Sequence, residues 1–198
     1  MQPAKLNYKI YEGSTFQETF RWESQTKSYA QISAISKSAP CVITTSANHT
    51  CPLNWRARIT GAGGMKEINI TSDDEYYLVT SKTNNTVTLN QINSANYTTY
   101  TSGGILEWNT PIDLTGYTAQ MQIRETLDSS TVIHEMTTAN GGILIDTTNY
   151  SITINIPAAT TRNFDFTTAV YSLELTDTSA VVTTFVTGNL TLVREITR

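Results

Sequence analysis

The sequence predicts an all-β chain: a β-sandwich, Ig-like or jelly-roll-like, built from the outer parts of the chain, with a small β-barrel inserted into it. Three observations carry this. Thr is much the commonest residue, with Asn, Ser, Ile and Tyr well represented, and runs rich in Ala, Leu, Glu and Lys are missing. β-branched and aromatic side chains suit a half-buried pleated surface, while Asn, Gly and Ser supply the turns between short strands. In Tyr117–Arg124 apolar and polar residues alternate strictly: Tyr117, Ala119, Met121 and Ile123 fall on one side of a pleat and Thr118, Gln120, Gln122 and Arg124 on the other. Finally, glycine brackets a central stretch, with Gly61-Ala-Gly-Gly64 near its middle and Ser102-Gly-Gly104 at its close.

Taken in order, GSTFQETFRWES reads as a strand with Phe16, Glu18, Phe20 and Trp22 on one face, where Glu18 requires a rim position or a partner. SQTKSYAQISAISKSAP reads as a second strand plus a linker. From about Val42 to Leu106 short β-runs follow one another: WRARI, EINI, YYLV, VTLN and YTTY. Downstream, Ile152, Ile154 and Ile156 alternate, as do Tyr171, Leu173 and Leu175, with turns at Asn140-Gly141-Gly142 and Asp177–Ala180. The last strand turns Leu190, Leu192 and Ile196 to one side, which puts Arg194 at a rim, and PAATTRNFDF holds one short helical turn. The expected division is a discontinuous sandwich of residues 1–37 and 107–198 around an inserted barrel of residues 38–106. An insertion is tolerated where the ends of the interrupted chain lie close together.

Composition excludes several classes of function. The net charge of -4 and sequence pI near 5.1 give no electrostatic footprint for nucleic acid or an anionic membrane. No run approaches the roughly 20 apolar residues that span a bilayer, and MQPAKLNYKIYEG lacks the apolar region of a secretory signal, so folding in a cytosol is expected. Cys41 and Cys51 flank a loop-like segment. A disulfide between them is one alternative, and a reducing compartment favours free thiols.

Pro111–Arg124 (PIDLTGYTAQMQIR), TTANGGILI and the chain end LTLVREITR together resemble a small β-domain that recurs in structural proteins of tailed bacteriophages. The order ITTSANHT, ITGAGGMKEIN, a strand and NTVTLNQINSANYTTYTSGG is similar to a small β-barrel module that phage tail proteins carry, related to the first catalytic-cysteine half-domain of ubiquitin-activating enzymes. Those relatives show His-Gly-Leu where this chain has His49-Thr50-Cys51-Pro52. In the enzyme that module is not the reacting part, so the resemblance implies no activity.

Candidate chemistry is sparse. Cys41, His49 and Cys51 are zinc-binding residue types, but a structural zinc needs four ligands and the only other histidine, His134, lies far downstream. Asp73-Asp74-Glu75 and Asp165 read as turn carboxylates rather than a glycosidase pair. Neither a GxSxG elbow nor a Walker loop occurs. No catalytic, cofactor-binding or metal site is assigned, and no cofactor is expected. The aromatics Trp55, Tyr76, Tyr77, Tyr97, Tyr100 and Trp108 gather in or near the insert and form the candidate contact surface, with core packing as the competing reading. Arg124 and Arg194, with Arg198, are further candidates for pairing with a neighbouring subunit's carboxylate.

The expectation is therefore a non-enzymatic virion structural protein, a tail, baseplate or neck component. Its partners would be other virion proteins and copies of itself in a ring or on a symmetric axis, with no nucleic acid and no membrane. A receptor- or glycan-binding module of a phage tail, contacting a host-surface glycan, is the alternative, and a polysaccharide hydrolase the third reading.

Overall fold

Where the sequence writes strict alternation, the chain forms strands. A computed structural model describes residues 2–72 and 74–195, so the readings on Asp73, Ile196 and Arg198 lie outside the described residues. The chain begins with β1 (Ala4–Lys5), β2 (Tyr8–Tyr11) and β3 (Phe16–Arg21). A middle series follows: β4 (Glu23–Ile35), β5 (Cys41–Thr45), β6 (Arg56–Gly63), β7 (Tyr77–Leu78), β8 (Ser81–Lys82), β9 (Thr86–Leu89) and β10 (Ser102–Pro111). The chain then continues through β11 (Thr118–Arg124), β12 (His134–Thr137), β13 (Ile143–Asp146), β14 (Ser151–Ile156), one helical turn α1 (Ala158–Thr161), β15 (Thr168–Thr176) and β16 (Val182–Val193). Strand accounts for 51% and helix for 4%, so the fold is all-β.

Two compact units divide the chain, residues 1–21 with 113–198, and Trp22–Ile112. The boundaries differ from the expected 38 and 106. The stretch expected as an outer strand plus linker is β4, which pairs with β10 over Glu23–Gln31 and with β5 over Ile32–Ile35. Long-range pairing, which local pattern does not encode, assigns it and residues 107–112 to the middle unit.

The discontinuous unit is a sandwich. One sheet runs β1–β16–β15–β11–β12, with β2 also on β16, and the other runs β13–β14–β3. Ala119, Met121 and Ile123, Tyr171, Leu173 and Leu175, and Val186, Leu190 and Leu192 form the inner face of the larger sheet. Ile143, Ile152, Ile154, Ile156 and Phe16 form that of the smaller. Each fully buried Ile contributes about 1.5–3 kcal/mol of hydrophobic stabilisation. The Phe20 and Phe185 rings meet edge-on at 6.1 Å, joining the two sheets. The turns follow side-chain chemistry: Asn140 Oδ1 accepts the Thr137 and Gly142 amides, and Asp177 Oδ1 those of Ser179 and Val181.

Both β1 and β2 run parallel to β16 and cover its free edge. Between them the Leu6 carbonyl accepts the Tyr171 hydroxyl at 3.0 Å and lies against Gly188, where a Cβ would overlap it. Only glycine lets the two backbones approach this closely.

In the middle unit the sheet order is β7–β6–β10–β4–β5–β9–β8. The strands at the two ends of that order are one continuous piece of chain. Residue 79 bonds toward β6, its amide donating to Trp55 O at 2.9 Å, and residue 80 toward β9, donating to Thr88 O at 2.9 Å. The sheet therefore curls round on itself into a small barrel. Its interior holds Ile43, Trp55, Ile59, Met65, Leu89 and Leu106. Two expected strands are absent. Within EINI, residues 66–68 form a 3₁₀ turn because Asn69 reaches back to the Ala62 amide and carbonyl at 2.8 and 3.0 Å. YTTY is irregular, with the Tyr100 hydroxyl donating to Ile32 O and Gly103 O at 3.1 and 2.8 Å. Ser102-Gly-Gly104 opens β10, where Ser102 and Gly103 pair with β6.

Replacing Gly188 by Ala is expected to destabilise the chain by about 2 kcal/mol or more through backbone displacement at β1–β2. Urea denaturation reads this directly, and an unchanged midpoint would contradict the placement of Leu6 over β16.

Candidate functional site

The residues with latent chemistry are occupied internally. Cys41 and Cys51 are free thiols with no exposed surface. Burial raises the Cys41 thiol pKa and pushes that of Cys51 up to about 12, which keeps both protonated and unreactive. His49 uses both ring nitrogens: Nδ1 accepts the Cys51 amide at 3.2 Å, and Nε2–H donates to Thr86 O at 3.1 Å. That fixes the neutral tautomer, and burial lowers its pKa. Among the described residues, no three His, Cys, Asp or Glu side chains come together as a metal site.

The aromatic candidates separate by burial. Trp55 and Trp108, offered above as contact residues, are core residues at 0% and 3% exposure, and the Trp55 indole N–H donates to Asn109 O at 2.7 Å. This corrects the sequence reading: Trp108 on β10 and Trp55 just before β6 are both turned inward, where a large aromatic contributes most by filling the barrel. Tyr77 is half-buried and donates to Ile68 O at 2.9 Å, and burial pushes its phenol up to about 12. Tyr100 is fixed by the two carbonyls named above. Tyr97 is partly exposed, and Tyr76, at 49%, is the aromatic most open to solvent among the six.

Tyr76 lies at a charged cleft of about 290 Å³ on the barrel, together with Glu23, Lys27, Arg56, Arg58 and Glu107. Strand register builds it: Glu107 pairs with Arg58 on β6 and Tyr29 on β4, so all three project outward from one row. Arg56 makes a two-pronged bond to Glu23 at 3.1 and 2.7 Å, and its guanidinium stands 5.1 Å over the Tyr76 ring. Glu23 also accepts Asn109 Nδ2 at 3.0 Å, while Glu107 binds Lys27 and stands 3.8 Å from Arg58. Both carboxylates are thus engaged by cations. Sequence reasoning missed these five strand residues because their partners come from distant strands.

The second surface is the outer face of the sandwich's larger sheet. Gln120 and Gln122 donate to one oxygen of Glu135 at 2.6 and 2.7 Å. Gln122 Oε1 accepts Arg124 at 2.7 Å, and Arg124 also donates to Ser129 O at 2.6 Å. The amide donors of Gln122 and Gln120 hold the Glu135 carboxyl below its usual range. Alternation in Tyr117–Arg124 placed these side chains on one wet face, but only the β11–β12 register reveals Glu135 as their partner. The ladder borders a groove of about 540 Å³ lined by Lys5, Arg124, Leu127 and Val170 among others. Arg194 sits at the rim, as its place in the alternation predicted, bound to Asp165 at 3.0 Å and Phe164 O at 3.2 Å, with Glu12 at 3.6 Å.

Both thiols are expected to resist a water-soluble disulfide reagent in the native chain and to react together, without reductant, once denatured. Rapid native reaction, or two missing thiols after denaturation, would contradict the buried free cysteines. Acid should also weaken the fold. Burial lowers the His49 and His134 pKa values from 6.5. The unfolded chain then binds protons that the folded one does not, and stability falls as pH drops through about 6.5. The melting temperature should be lower near pH 5.5 than near pH 7.5, and the difference smaller in His134→Leu. A pH-independent melt would contradict the burial of both rings. No protein-family model matches the chain, and no curated protein matches it.

Proposed function

We propose that this chain is a non-enzymatic structural protein of a tailed-bacteriophage virion, a tail, baseplate or neck component that assembles as a symmetric oligomer and attaches other virion parts. The observation that carries the reading is the ordered polar face of the sandwich, in which Gln120, Gln122, Arg124 and Glu135 are already fixed by one another. Side chains held this way lose little further freedom on docking, so a broad surface binds without a deep pocket. The phage-like motifs at residues 111–124 and toward the chain end support the virion assignment. Of the long strands, β10, β15 and β16 are paired on both sides, which favours association of copies through side-chain faces.

A second reading has one observation of its own. Tyr76, exposed at a polar cleft beside Arg56 and Glu23, is the arrangement on which a sugar ring stacks. Binding of the intact chain to a glycan array, lost in Tyr76→Ala, would favour that receptor role.

Mass spectrometry of purified particles tests the structural reading. The chain is expected among the virion proteins at a fixed ratio to the others. Its absence from particles, or turnover of capsule or lipopolysaccharide by the pure chain, would overturn the proposal.

A further inference from the structure

We propose that the groove on the sandwich's outer face docks a second copy of this chain, and that the segment entering it is the copy's Asp74–Tyr76 turn. The inference rests on the building-block reading above and adds the two surfaces that meet.

Register defines the groove. Arg124 pairs with Val170 and Val170 with Asn189, while Gln122, Ser172, Thr187 and Lys5 form the adjoining row. These side chains share the side of the sheet opposite the buried Ile123, Leu173 and Val186. Leu127, 86% exposed, borders the same space from the loop that Arg124 anchors through Ser129. An antiparallel sheet with one wet face is ordinary, so the chemistry of the lining decides the matter. Its two charged residues, Lys5 and Arg124, are both cations, and neither forms an ion pair among the described residues. The neighbouring Glu125 lines a different cleft, with Asp165. The groove therefore offers two cations with no carboxylate in its own lining, Glu135 standing beyond Gln122 on β12, and an apolar wall of Leu127 and Val170.

The barrel carries the complement. Asp74 and Glu75 are exposed in a turn and form no ion pair among the described residues. Tyr76 beside them is half-exposed and steadied by Arg56. Two carboxylates and an aromatic thus match two cations and an apolar wall, and charge complementarity of this kind sets register and partner choice. Because the two surfaces lie on different units of the chain, the contact is heterologous. Repeated, it generates a ring if the rotation closes and a filament if it does not.

Sedimentation velocity on the full chain tests this. The native chain is expected to self-associate at low salt and to dissociate as salt is raised. Lys5→Glu, whose side chain makes no hydrogen bond among those described, and Arg124→Glu should each weaken association by about tenfold or more, as should Asp74→Lys with Glu75→Lys. A cooperative thermal melt of each variant shows that it folds, with a lowered midpoint expected for Arg124→Glu, which loses its bonds to Ser129 and Gln122. Mixing the groove variant with the turn variant should restore large species, since each supplies the surface the other lacks. A chain that stays monomeric, association indifferent to all three changes, or a mixture that fails to recover would overturn the docking. The function reading is judged separately by whether the chain is present in particles.

Discussion

The structure depends on how its strand edges are closed. An edge strand presents unpaired main-chain donors and acceptors, and long ones recruit other chains indiscriminately. Here the strands at the ends of each sheet order are the short ones, from two residues in β1, β7 and β8 to six in β3, while β16, with twelve, lies inside its sheet and β4, with thirteen, passes from pairing with β10 to pairing with β5. In the barrel both ends of the sheet belong to one stretch of chain around Val79 and Thr80. In the sandwich β16 is covered by the first two strands running parallel to it. Covering the main chain in this way leaves the faces, and the side chains on them, as what the molecule offers to a partner.

Those faces have two different characters. The barrel's charged cleft satisfies itself, with each glutamate held by cations from neighbouring strands, and it stabilises the curled sheet more than it invites a ligand. The sandwich's outer face is ordered but incomplete: Glu135, the two glutamines and Arg124 fix one another, yet Lys5 and Arg124 form no direct ion pair among the described residues. Meanwhile the thiols and His49, the residues most able to do chemistry, are turned inward and used as packing and as hydrogen-bond partners for the loop before Trp55.

Much of the fold was legible in the sequence where one face of a strand is buried and the other wet. Residues 117–124, 152–156 and 171–175 were read as strands with the correct inward sides, because burial imposes a period of two on their composition. The readings failed where long-range contacts decide. β4 has no strong alternation and belongs to the barrel through its pairing with β10. EINI alternates but is pulled into a turn by Asn69. Trp55 and Trp108 were recognisable as important aromatics, yet their burial depends on which side of the barrel they face. The partner of the Trp55 indole, Asn109, lies on another strand far along the chain. The charged cleft was invisible for the same reason, whereas the wet face bearing Gln120, Gln122 and Arg124 could be read directly.

The claim that the two ends of the barrel's sheet meet in one stretch of chain is tested most directly by amide hydrogen exchange at Val79 and Thr80. The account predicts protection comparable to that of the central β10 amides, since residue 79 is bonded toward β6 and residue 80 toward β9. Exchange at the rate of an exposed loop would mean that the sheet is open there, with two free edges available for association, and would contradict the account.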